Sequence, residues 1–215
     1  MTITLWGRLN SSNVQKVSWL LAELELEYEH LPLGGSFGGT DDPKYRAMNP
    51  NGKVPTLRDG DLVLWESHAI VRYLAATYAS GLIWPVEPRE RAAADQWTDW
   101  TATTYQPAWI EVFWNLVRTP LDQQNRRAID RGIAQTTALQ RMLDERLSQV
   151  PYLGGKEFTY ADIVAGVSLY RWFTMPVERP SLPHFEAWYE RLKERKAFQA
   201  AVCVSYEELV GRLAF

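Results

Sequence analysis

Two hydrophobic patterns divide the chain into a first part that mixes strands and helices and a second part that is helical throughout. Residues 2–6 are β-branched and aromatic, which predicts a first strand, and residues 28–33 predict a second. Between them, apolar residues recur at the spacing of one helix face: Val17, Leu20, Leu21 and Leu24. The pattern therefore predicts a strand–helix–strand unit, in which a right-handed crossover makes the two strands parallel.

The next segment predicts a hairpin followed by another helix. Asp59-Gly60 separates two apolar runs, and this pair indicates a tight turn between strands at 55–57 and 62–65. Ser67 stands directly before apolar residues at helical spacing, and serine is a favoured helix N-cap. The first part of the chain is thus predicted to have the order β-α-β, then β-β-α.

A glycine- and proline-containing segment at residues 81–88 predicts a linker between two domains. After this segment every apolar pattern has the helical period, and no alternating strand pattern occurs. We therefore expect an α/β domain over residues 1–80 and an all-helical domain over residues 89–215.

The helical part contains several distinct predicted elements. An aromatic-rich run at 89–115 predicts a long helix that Pro107 kinks, since proline lacks the N–H of an internal helix position. Thr159 and Asp162 have the spacing of a capping box, which we interpret as a folding signal without a catalytic role. Further helices are predicted at 121–149, 183–196 and 205–213.

Composition and charge narrow the functional class. The 215 residues are 46% hydrophobic, 23% charged and carry a formal net charge of −3, which gives no reason to expect nucleic acid or a membrane as a partner. No long uncharged apolar run and no signal peptide pattern is present, so we expect a soluble, cytoplasmic protein. The single cysteine, Cys203, excludes an internal disulfide and a CxxC pair, and the scattered histidines predict no metal site.

The turn between the first strand and the first helix carries polar side chains that could contact a ligand. Ser11, Ser12 and Asn13 follow the carboxyl end of a predicted parallel strand, where open α/β sheets bind ligands. A hydroxyl there can donate a hydrogen bond to an anion beside a helix N-terminus. No histidine is near in sequence to act as a base, so a serine nucleophile is not supported. The alternative is an ordinary helix cap, for which Asn13 would serve as well as either serine.

A second candidate site surrounds the predicted hairpin. Pro55 produces a bend that exposes the backbone N–H and C=O of Val54 to an extended ligand. The helix start at Ser67 offers N–H groups and a hydroxyl to a carboxylate, and Glu66 beside it can hold an ammonium group. The alternative is an ordinary capped helix after an ordinary hairpin.

Taken together, these motifs resemble the cytosolic glutathione transferases over essentially the whole chain. The motifs that carry the resemblance are Ser11-Ser12-Asn13, the stretch from Asn49 to Pro55, Glu66-Ser67 and the cap from Thr159 to Asp162. The resemblance implies a thioredoxin-like first domain with a cis Val54–Pro55 bond and a helical-bundle second domain. It also implies a detoxifying transferase that works as a homodimer and uses glutathione and a small apolar electrophile.

The same resemblance implies roles for individual residues. The backbone of Val54, next to Pro55, would pair with the cysteinyl part of glutathione, and Lys53 would reach the glycyl carboxylate. Glu66 and Ser67 would hold the γ-glutamyl end. Large apolar residues of the helical domain are candidate walls of an electrophile pocket, of which we expect at most half to touch a ligand: Tyr105, Trp109, Phe113, Trp172 and Phe215.

Catalysis would need only stabilisation of the glutathione thiolate. A thiol has a pKa of about 8.5, and a hydrogen bond to a charged group contributes roughly 1.5–3 kcal/mol, equivalent to about one to two pKa units. We rank Ser11 first for this hydrogen bond, then Asn13, then Ser12. The first turn has no tyrosine or cysteine, which disfavours the tyrosine-type and cysteine-type classes.

Other functions remain open from the sequence. A glutathione-dependent disulfide or peroxide reductase is compatible with Asn13. A glutathione-dependent isomerase is weakened because zeta-type members have cysteine where Asn13 stands. A non-enzymatic relative that carries ligands or serves in assembly would share the same fold.

Overall fold

The computed structural model describes residues 2–79, 81 and 83–214, and it opens with a mixed four-stranded sheet. In the order β2-β1-β3-β4, β1 and β2 are parallel, whereas β3 is antiparallel to both of its neighbours. The strands are β1 (Ile3–Trp6), β2 (Tyr28–Leu31), β3 (Thr56–Asp59) and β4 (Leu62–Trp65). The predicted parallel pair and hairpin are confirmed.

The hairpin turn lies one residue later than the sequence predicted. Asp59 pairs with Leu62, so the two-residue loop is Gly60-Asp61 and not Asp59-Gly60. Gly60 has φ +58°, a conformation that glycine adopts without a Cβ penalty. This register places Leu57 in the core beside Leu5 of β1.

Helices of the first part pack on each other and start at the residues that border the candidate site. They are α1 (Ser12–Glu23), α2 (Pro43–Met48) and α3 (Ser67–Tyr78). α1 and α3 contact each other, and both carry fully buried aliphatic residues spaced at the helical period: Val14, Val17, Leu20 and Leu21 of α1, and Ile70, Val71 and Leu74 of α3. The amino ends of α1 and α3 are thereby brought together.

The remaining helices form one bundle after residue 87. They are α4 (Pro88–Trp100), α5 (Gln106–Phe113), α6 (Arg126–Leu147), α7 (Tyr160–Gly166), α8 (Leu169–Thr174), α9 (Pro183–Lys193) and α10 (Lys196–Ala201). The prediction of a helix at 205–213 is wrong, because only a 3₁₀ turn at Glu207–Leu209 forms there. No helix within the described ranges is both long and apolar enough to cross a bilayer.

The irregularity predicted at Pro107 takes the form of a π-helical turn. Residues Thr101–Tyr105 form this turn directly before α5, and a second π turn, Trp114–Arg118, follows α5. Because Pro107 cannot donate to a carbonyl one turn earlier, an irregular turn ahead of it accommodates the missing bond. The long helix therefore continues past the proline to the edge of the site.

The capping box predicted at Thr159 and Asp162 is present and joins several elements of the bundle. Asp162 Oδ2 accepts from the Thr159 backbone N–H at 3.0 Å, and Oδ1 accepts from Leu153 N and Trp188 Nε1 at 2.9 and 3.1 Å. Burial raises the pKa of Asp162 to about 6, against the opposing effect of these hydrogen bonds. The cap thus joins the start of α7 to Leu153 and to Trp188 of α9.

Candidate functional site

The first turn lies tightly against the Val54–Pro55 bend because residue 7 is a glycine. Gly7 has φ +150°, and a Cβ there would lie 2.4 Å from a methyl of Val14 and 3.2 Å from the Cβ of Val54. Any larger residue would push the turn away from the bend. The close approach brings together the two candidate sites predicted separately.

Ser11 is the N-cap residue of α1, yet its side chain caps nothing. Its backbone is extended, with φ −86° and ψ 122°, and its hydroxyl makes no hydrogen bond within the described part of the chain. The first backbone N–H groups of a helix lack intrahelical partners, so this end offers several donors at once. Ser12, the first helical residue, is only 6% exposed. Ser11 is therefore the more exposed of the two serines.

Asn13 is oriented by a buried polar network. Its Oδ1 accepts from Lys16 Nζ at 3.0 Å, from Gln106 Nε2 at 3.1 Å and from Ser67 Oγ at 3.4 Å. Because a lysine ammonium only donates, the side-chain atom that faces Lys16 must be the oxygen. The amide Nδ2 of Asn13 is left as a donor, with no hydrogen bond among the described residues.

Lys16 is the centre of this network and was missed as a site residue by sequence reasoning. It is 1% exposed, and its Nζ also donates to His68 Nε2 at 2.8 Å and to Gln106 Oε1. Burial lowers the pKa of Lys16 to about 7, while the charge of Glu66 acts in the opposite direction. The one signal in the sequence is a lysine placed between Val14 and Val17 on the apolar side of α1.

Burial and the neighbouring Lys16 lower the pKa of His68 far below its ordinary value. The imidazole of His68 is therefore neutral at physiological pH, and its Nε2 accepts a hydrogen bond from Lys16 Nζ. Lys16, His68 and Gln106 come from α1, α3 and α5, so the network joins both parts of the chain directly behind Asn13.

The bend at Val54 is fixed by side chains on either side of it. Lys53 O accepts from Tyr45 OH at 2.6 Å and from Asn49 Nδ2 at 2.7 Å, and both groups also contact Thr56 Oγ1. The Val54–Pro55 peptide bond is cis. No hydrogen bond occupies the backbone N–H or C=O of Val54 within the described ranges, so both are available to an extended ligand.

The start of α3 carries a strained residue. Glu66 has φ +71°, a value that residues other than glycine rarely adopt, and Glu66 is exposed. Such a conformation costs of order 1–3 kcal/mol and is concentrated at ligand-binding positions. Ser67 follows as the first residue of α3 and is 6% exposed.

A cavity of about 460 Å³ joins the first turn to the helical part of the chain. Ser11, Ser12, Asn13, Lys53 and Val54 line one side of it. The opposite side is formed by the long helix, by α8 and by the segment after α10: Ile110, Phe113, Trp114, Arg118, Arg171 and Leu209. The volume is sufficient for a tripeptide thiol with a small partner.

Comparison with known proteins identifies the family. The glutathione S-transferase N-terminal domain model matches residues 1–76, and the C-terminal domain model matches residues 126–191. The glutathione S-transferase GstB of Escherichia coli K12 is 43% identical over 204 residues, which cover 94% of this chain and 98% of the relative. The chain belongs to the glutathione transferase family. Membership confirms the resemblance and the enzyme class inferred from the sequence.

Solved structures give the same result for this transferase. The theta class glutathione S-transferase of the citrus canker pathogen Xanthomonas axonopodis pv. citri, with glutathione bound, superposes with a TM-score of 0.92 at 50% identity. The match covers 95% of this chain and 98% of that one. The apo form of the Xanthomonas enzyme superposes with a TM-score of 0.83. The predicted fold class, a thioredoxin-like domain followed by a helical domain, is confirmed.

Most of the aromatic residues expected to wall the electrophile pocket are elsewhere in this transferase. Tyr105, Trp109 and Trp172 are at most 1% exposed and belong to the core instead of the cavity. Tyr105, for example, stacks on Trp100, with its hydroxyl 3.1 Å from Ser168 Oγ. Helical spacing marks a buried face, but it does not distinguish a core from a pocket.

Of the five residues predicted for the pocket, Phe113 lines the cavity, and Phe215 lies outside the described residues. The apolar surface beside Phe113 comes from Ile110, Trp114 and Leu209 instead. Glu66 and Ser67 do not line this cavity. Ser67 instead donates a hydrogen bond to Asn13, and the charge of Glu66 acts on Lys16. Sequence reasoning also missed the arginines that line the far side of the cavity.

Proposed function

We propose that this transferase binds glutathione across the Val54 bend, with the sulfur at the start of α1 and Ser11 as the main donor to the thiolate. The observation that carries the proposal is the Ser11 hydroxyl, which lines the cavity at a helix N-terminus and makes no hydrogen bond within the described chain. An N-cap serine usually bonds to its own helix. Here that donor is left for a ligand.

Asn13 would be the second donor to the sulfur. Its oxygen is occupied by Lys16, Gln106 and Ser67, which leaves the Nδ2 protons for the ligand. One charge-assisted hydrogen bond is worth roughly 1.5–3 kcal/mol, or about one to two units of thiol pKa. Ser12 is the third candidate, since it lines the cavity but is nearly buried.

The rest of the tripeptide would lie along groups that the fold leaves open. The backbone N–H and C=O of Val54, beside Pro55, would pair with the cysteinyl unit in the manner of an added strand. Lys53 on the cavity wall would meet the glycyl carboxylate. Glu66 and Ser67 at the start of α3 would hold the γ-glutamyl ammonium and carboxylate.

The reaction itself needs no group from the protein that forms a covalent bond. The thiol proton passes to solvent, and the thiolate sulfur then attacks an electrophilic carbon. With an aryl halide, a carbon–sulfur bond forms and the carbon–halogen bond breaks, so halide leaves with the bonding pair. Ile110, Phe113, Trp114 and Leu209 would provide the apolar surface for the electrophile.

We further propose that the enzyme acts as a homodimer in the cytoplasm, with residues 1–80 binding glutathione, a linker at 81–88 and the electrophile pocket provided by 89–215. β4 is an edge strand whose Leu62 and Trp65 are 41% and 38% exposed, which favours coverage by another chain. Sedimentation equilibrium tests this: the mass of a dimer is expected, and a monomer at micromolar concentration contradicts it.

Steady-state kinetics with two kinds of substrate tests the transferase reaction. We expect turnover of an activated aryl chloride with glutathione, little turnover of a mixed disulfide of glutathione, and a loss of about tenfold or more in aryl chloride kcat/KM for Ser11→Ala. Ser181→Ala, an exposed serine after α8, is the matched control and is expected to retain wild-type kcat/KM. Faster turnover of the disulfide than of the aryl chloride would instead support a reductase.

A further inference from the structure

Gln106 belongs to the helical part of the chain but reaches the first turn of α1. It is the first residue of α5 and is half-buried. Its Nε2 donates to Asn13 Oδ1 at 3.1 Å, and its Oε1 accepts from Lys16 Nζ. Gln106 does not line the cavity beside Ser11, so these contacts are with polar groups of the protein itself.

The orientation of the Gln106 amide follows from Lys16. A lysine ammonium has three N–H donors and no acceptor. Its Nζ meets three acceptors, which are Asn13 Oδ1 at 3.0 Å, His68 Nε2 at 2.8 Å and Gln106 Oε1. Because the oxygen of Gln106 must face Lys16, its Nε2 is turned toward the oxygen of Asn13. One assignment of donors and acceptors therefore fits all of these contacts.

This assignment fixes which end of the Asn13 amide faces the cavity. Its Oδ1 accepts from Lys16 and Gln106, and at 3.4 Å from Ser67. If the amide rotated by half a turn, its NH₂ group would face these donors, and their hydrogen bonds would be lost. Asn13 therefore presents Nδ2 to the cavity that it lines. Donors on the oxygen of an amide also polarise it, which strengthens its N–H groups as donors.

The backbone next to Gln106 is held in place by the core. The π turn Thr101–Tyr105 ends directly before Gln106. Its last residue, Tyr105, is fully buried, stacks on Trp100 with the ring centroids 5.5 Å apart, and has its hydroxyl 3.1 Å from Ser168 Oγ. π turns inside helices are frequent at functional sites. The amide of Gln106 is thus carried on a fixed support, as a residue that orients another side chain requires.

We propose that Gln106 is a positioning residue of the transferase reaction: it holds the amide of Asn13 with Nδ2 toward the glutathione sulfur and thereby raises the thiolate fraction. This inference rests on the proposed function, because it requires the sulfur to lie beside Asn13. Gln106 acts through Asn13 and needs no contact with either substrate. The helical part of the chain then takes part in activating glutathione, in addition to providing a wall for the electrophile.

The competing explanation is that Gln106 only stabilises the contact between the two parts of the chain, by accepting from the buried Lys16. The two explanations differ in what the loss of its amide changes. A purely structural role lowers the free energy of unfolding and leaves the pKa of the bound thiol unchanged. A positioning role raises that pKa, and does so only while Asn13 is present.

Gln106→Met removes both amide groups while keeping the net charge and nearly the length of the side chain. We expect the pKa of bound glutathione, followed by thiolate absorbance, to rise by about half a unit. At about pH 6 this shift lowers kcat for an activated aryl chloride about threefold and leaves its KM unchanged. Gln106→Leu should give the same shift. A thiol pKa equal to that of the wild type in these variants would overturn the proposal.

Gln124→Met is the matched control. Gln124 is also a half-buried glutamine of the helical part, and its Nε2 donates to Leu116 O at 2.9 Å and to Thr119 O at 3.2 Å. It does not line the cavity beside Ser11. Gln124→Met is expected to keep the wild-type thiol pKa and kcat. An equal rise of the thiol pKa in Gln124→Met and Gln106→Met would overturn the specific role of Gln106.

A double-mutant cycle tests whether Gln106 acts through Asn13. In the Asn13→Ala background, Gln106→Met is expected to leave the thiol pKa unchanged, because no amide remains to be oriented. An undiminished rise in that background, or no effect of Asn13→Ala itself, would overturn the proposal.

Ser11→Ala, titrated in the same way, separates this inference from the proposed function. If Ser11→Ala raises the thiol pKa but Gln106→Met does not, the role of Gln106 fails and the proposed function stands. If Ser11→Ala leaves the pKa unchanged while the cycle shows full coupling between Gln106 and Asn13, the role of Gln106 stands and Ser11 is not the main donor.

Discussion

The hydroxyl of Ser67 lies 3.4 Å from Oδ1 of Asn13, which joins the first turns of α3 and α1. The two residues belong to the two candidate sites that the sequence predicted separately. Through this contact, a change at the proposed γ-glutamyl end of the site reaches the amide that faces the proposed sulfur position. Lys16 and Gln106 hold the same oxygen from behind.

The buried Lys16 predicts a dependence of stability on pH. The folded state releases the Lys16 proton near pH 7, whereas the unfolded chain keeps it up to about pH 10.5. Between these values the unfolded state binds more protons, so raising the pH increases the free energy of unfolding. Urea denaturation at pH 7, 8 and 9 should show this increase in the wild type and a flatter profile in Lys16→Met.

Lys156→Gln is the control for that measurement, because Lys156 is exposed and should leave the pH profile unchanged. Identical pH slopes in the wild type and Lys16→Met would contradict the assignment of a lowered pKa to Lys16.

Because Glu66 has a positive φ, two substitutions there are expected to differ in stability but to weaken glutathione binding equally. Glycine adopts this conformation without a Cβ penalty, so Glu66→Gly should be about 1 kcal/mol more stable than Glu66→Ala in chemical denaturation. Both variants should bind glutathione about tenfold or more weakly by calorimetry, since both lose the carboxylate proposed for the γ-glutamyl ammonium.

Glu25 provides the matched control, because it also has a positive φ, +52°, but lies beyond the end of α1 away from the cavity. Glu25→Gly and Glu25→Ala should differ in stability in the same direction and retain wild-type affinity. Unchanged glutathione affinity in both Glu66 variants would remove Glu66 from the site.

Substitution of Asp162 is expected to lower the stability of the protein without changing its KM for glutathione. In Asp162→Asn, an NH₂ group replaces an acceptor that faces the Thr159 N–H and hydroxyl, and we expect a cost of about 1–3 kcal/mol in the free energy of unfolding at pH 7. The pKa of Asp162 is raised in the folded state, from 3.8 to about 6, so its ionisation opposes folding as the pH rises through that interval.

Urea denaturation between pH 4 and pH 7 checks both parts of this prediction. The difference in stability between the wild type and Asp162→Asn should narrow as the pH rises, and KM for glutathione should stay at the wild-type value. A changed KM in fully folded Asp162→Asn protein would contradict a purely structural role.

Local patterns predicted most of the fold, because they depend on neighbours along the chain. The spacing of Val17, Leu20, Leu21 and Leu24, the hairpin signal at Gly60 and the capping box at Asp162 each reflect interactions within a few residues. The segment at 205–213 shows the limit: Leu209 is buried, but Val210 and Leu213 are 59% and 47% exposed, and only one 3₁₀ turn forms.

The candidate site was predicted less completely, because much of it comes from residues far apart in sequence. Arg8, Arg118 and Arg171 share no motif, and only the tertiary fold brings them to one cavity. Helical periodicity also could not distinguish Phe113, which lines the cavity, from Trp109, which lies in the core. Ser11, Asn13, Lys53 and Val54, which short contiguous motifs predicted, all line this cavity.

The ultraviolet absorbance of the thiolate, followed against pH with glutathione bound, measures the central claim most directly. The wild-type enzyme should lower the pKa of the glutathione thiol about one to two units below its usual value of about 8.5. Ser11→Ala should raise that pKa by about one unit, Asn13→Ala by less, and Ser181→Ala should leave it unchanged. A bound thiol whose pKa is the same in the wild type and in Ser11→Ala would contradict the account.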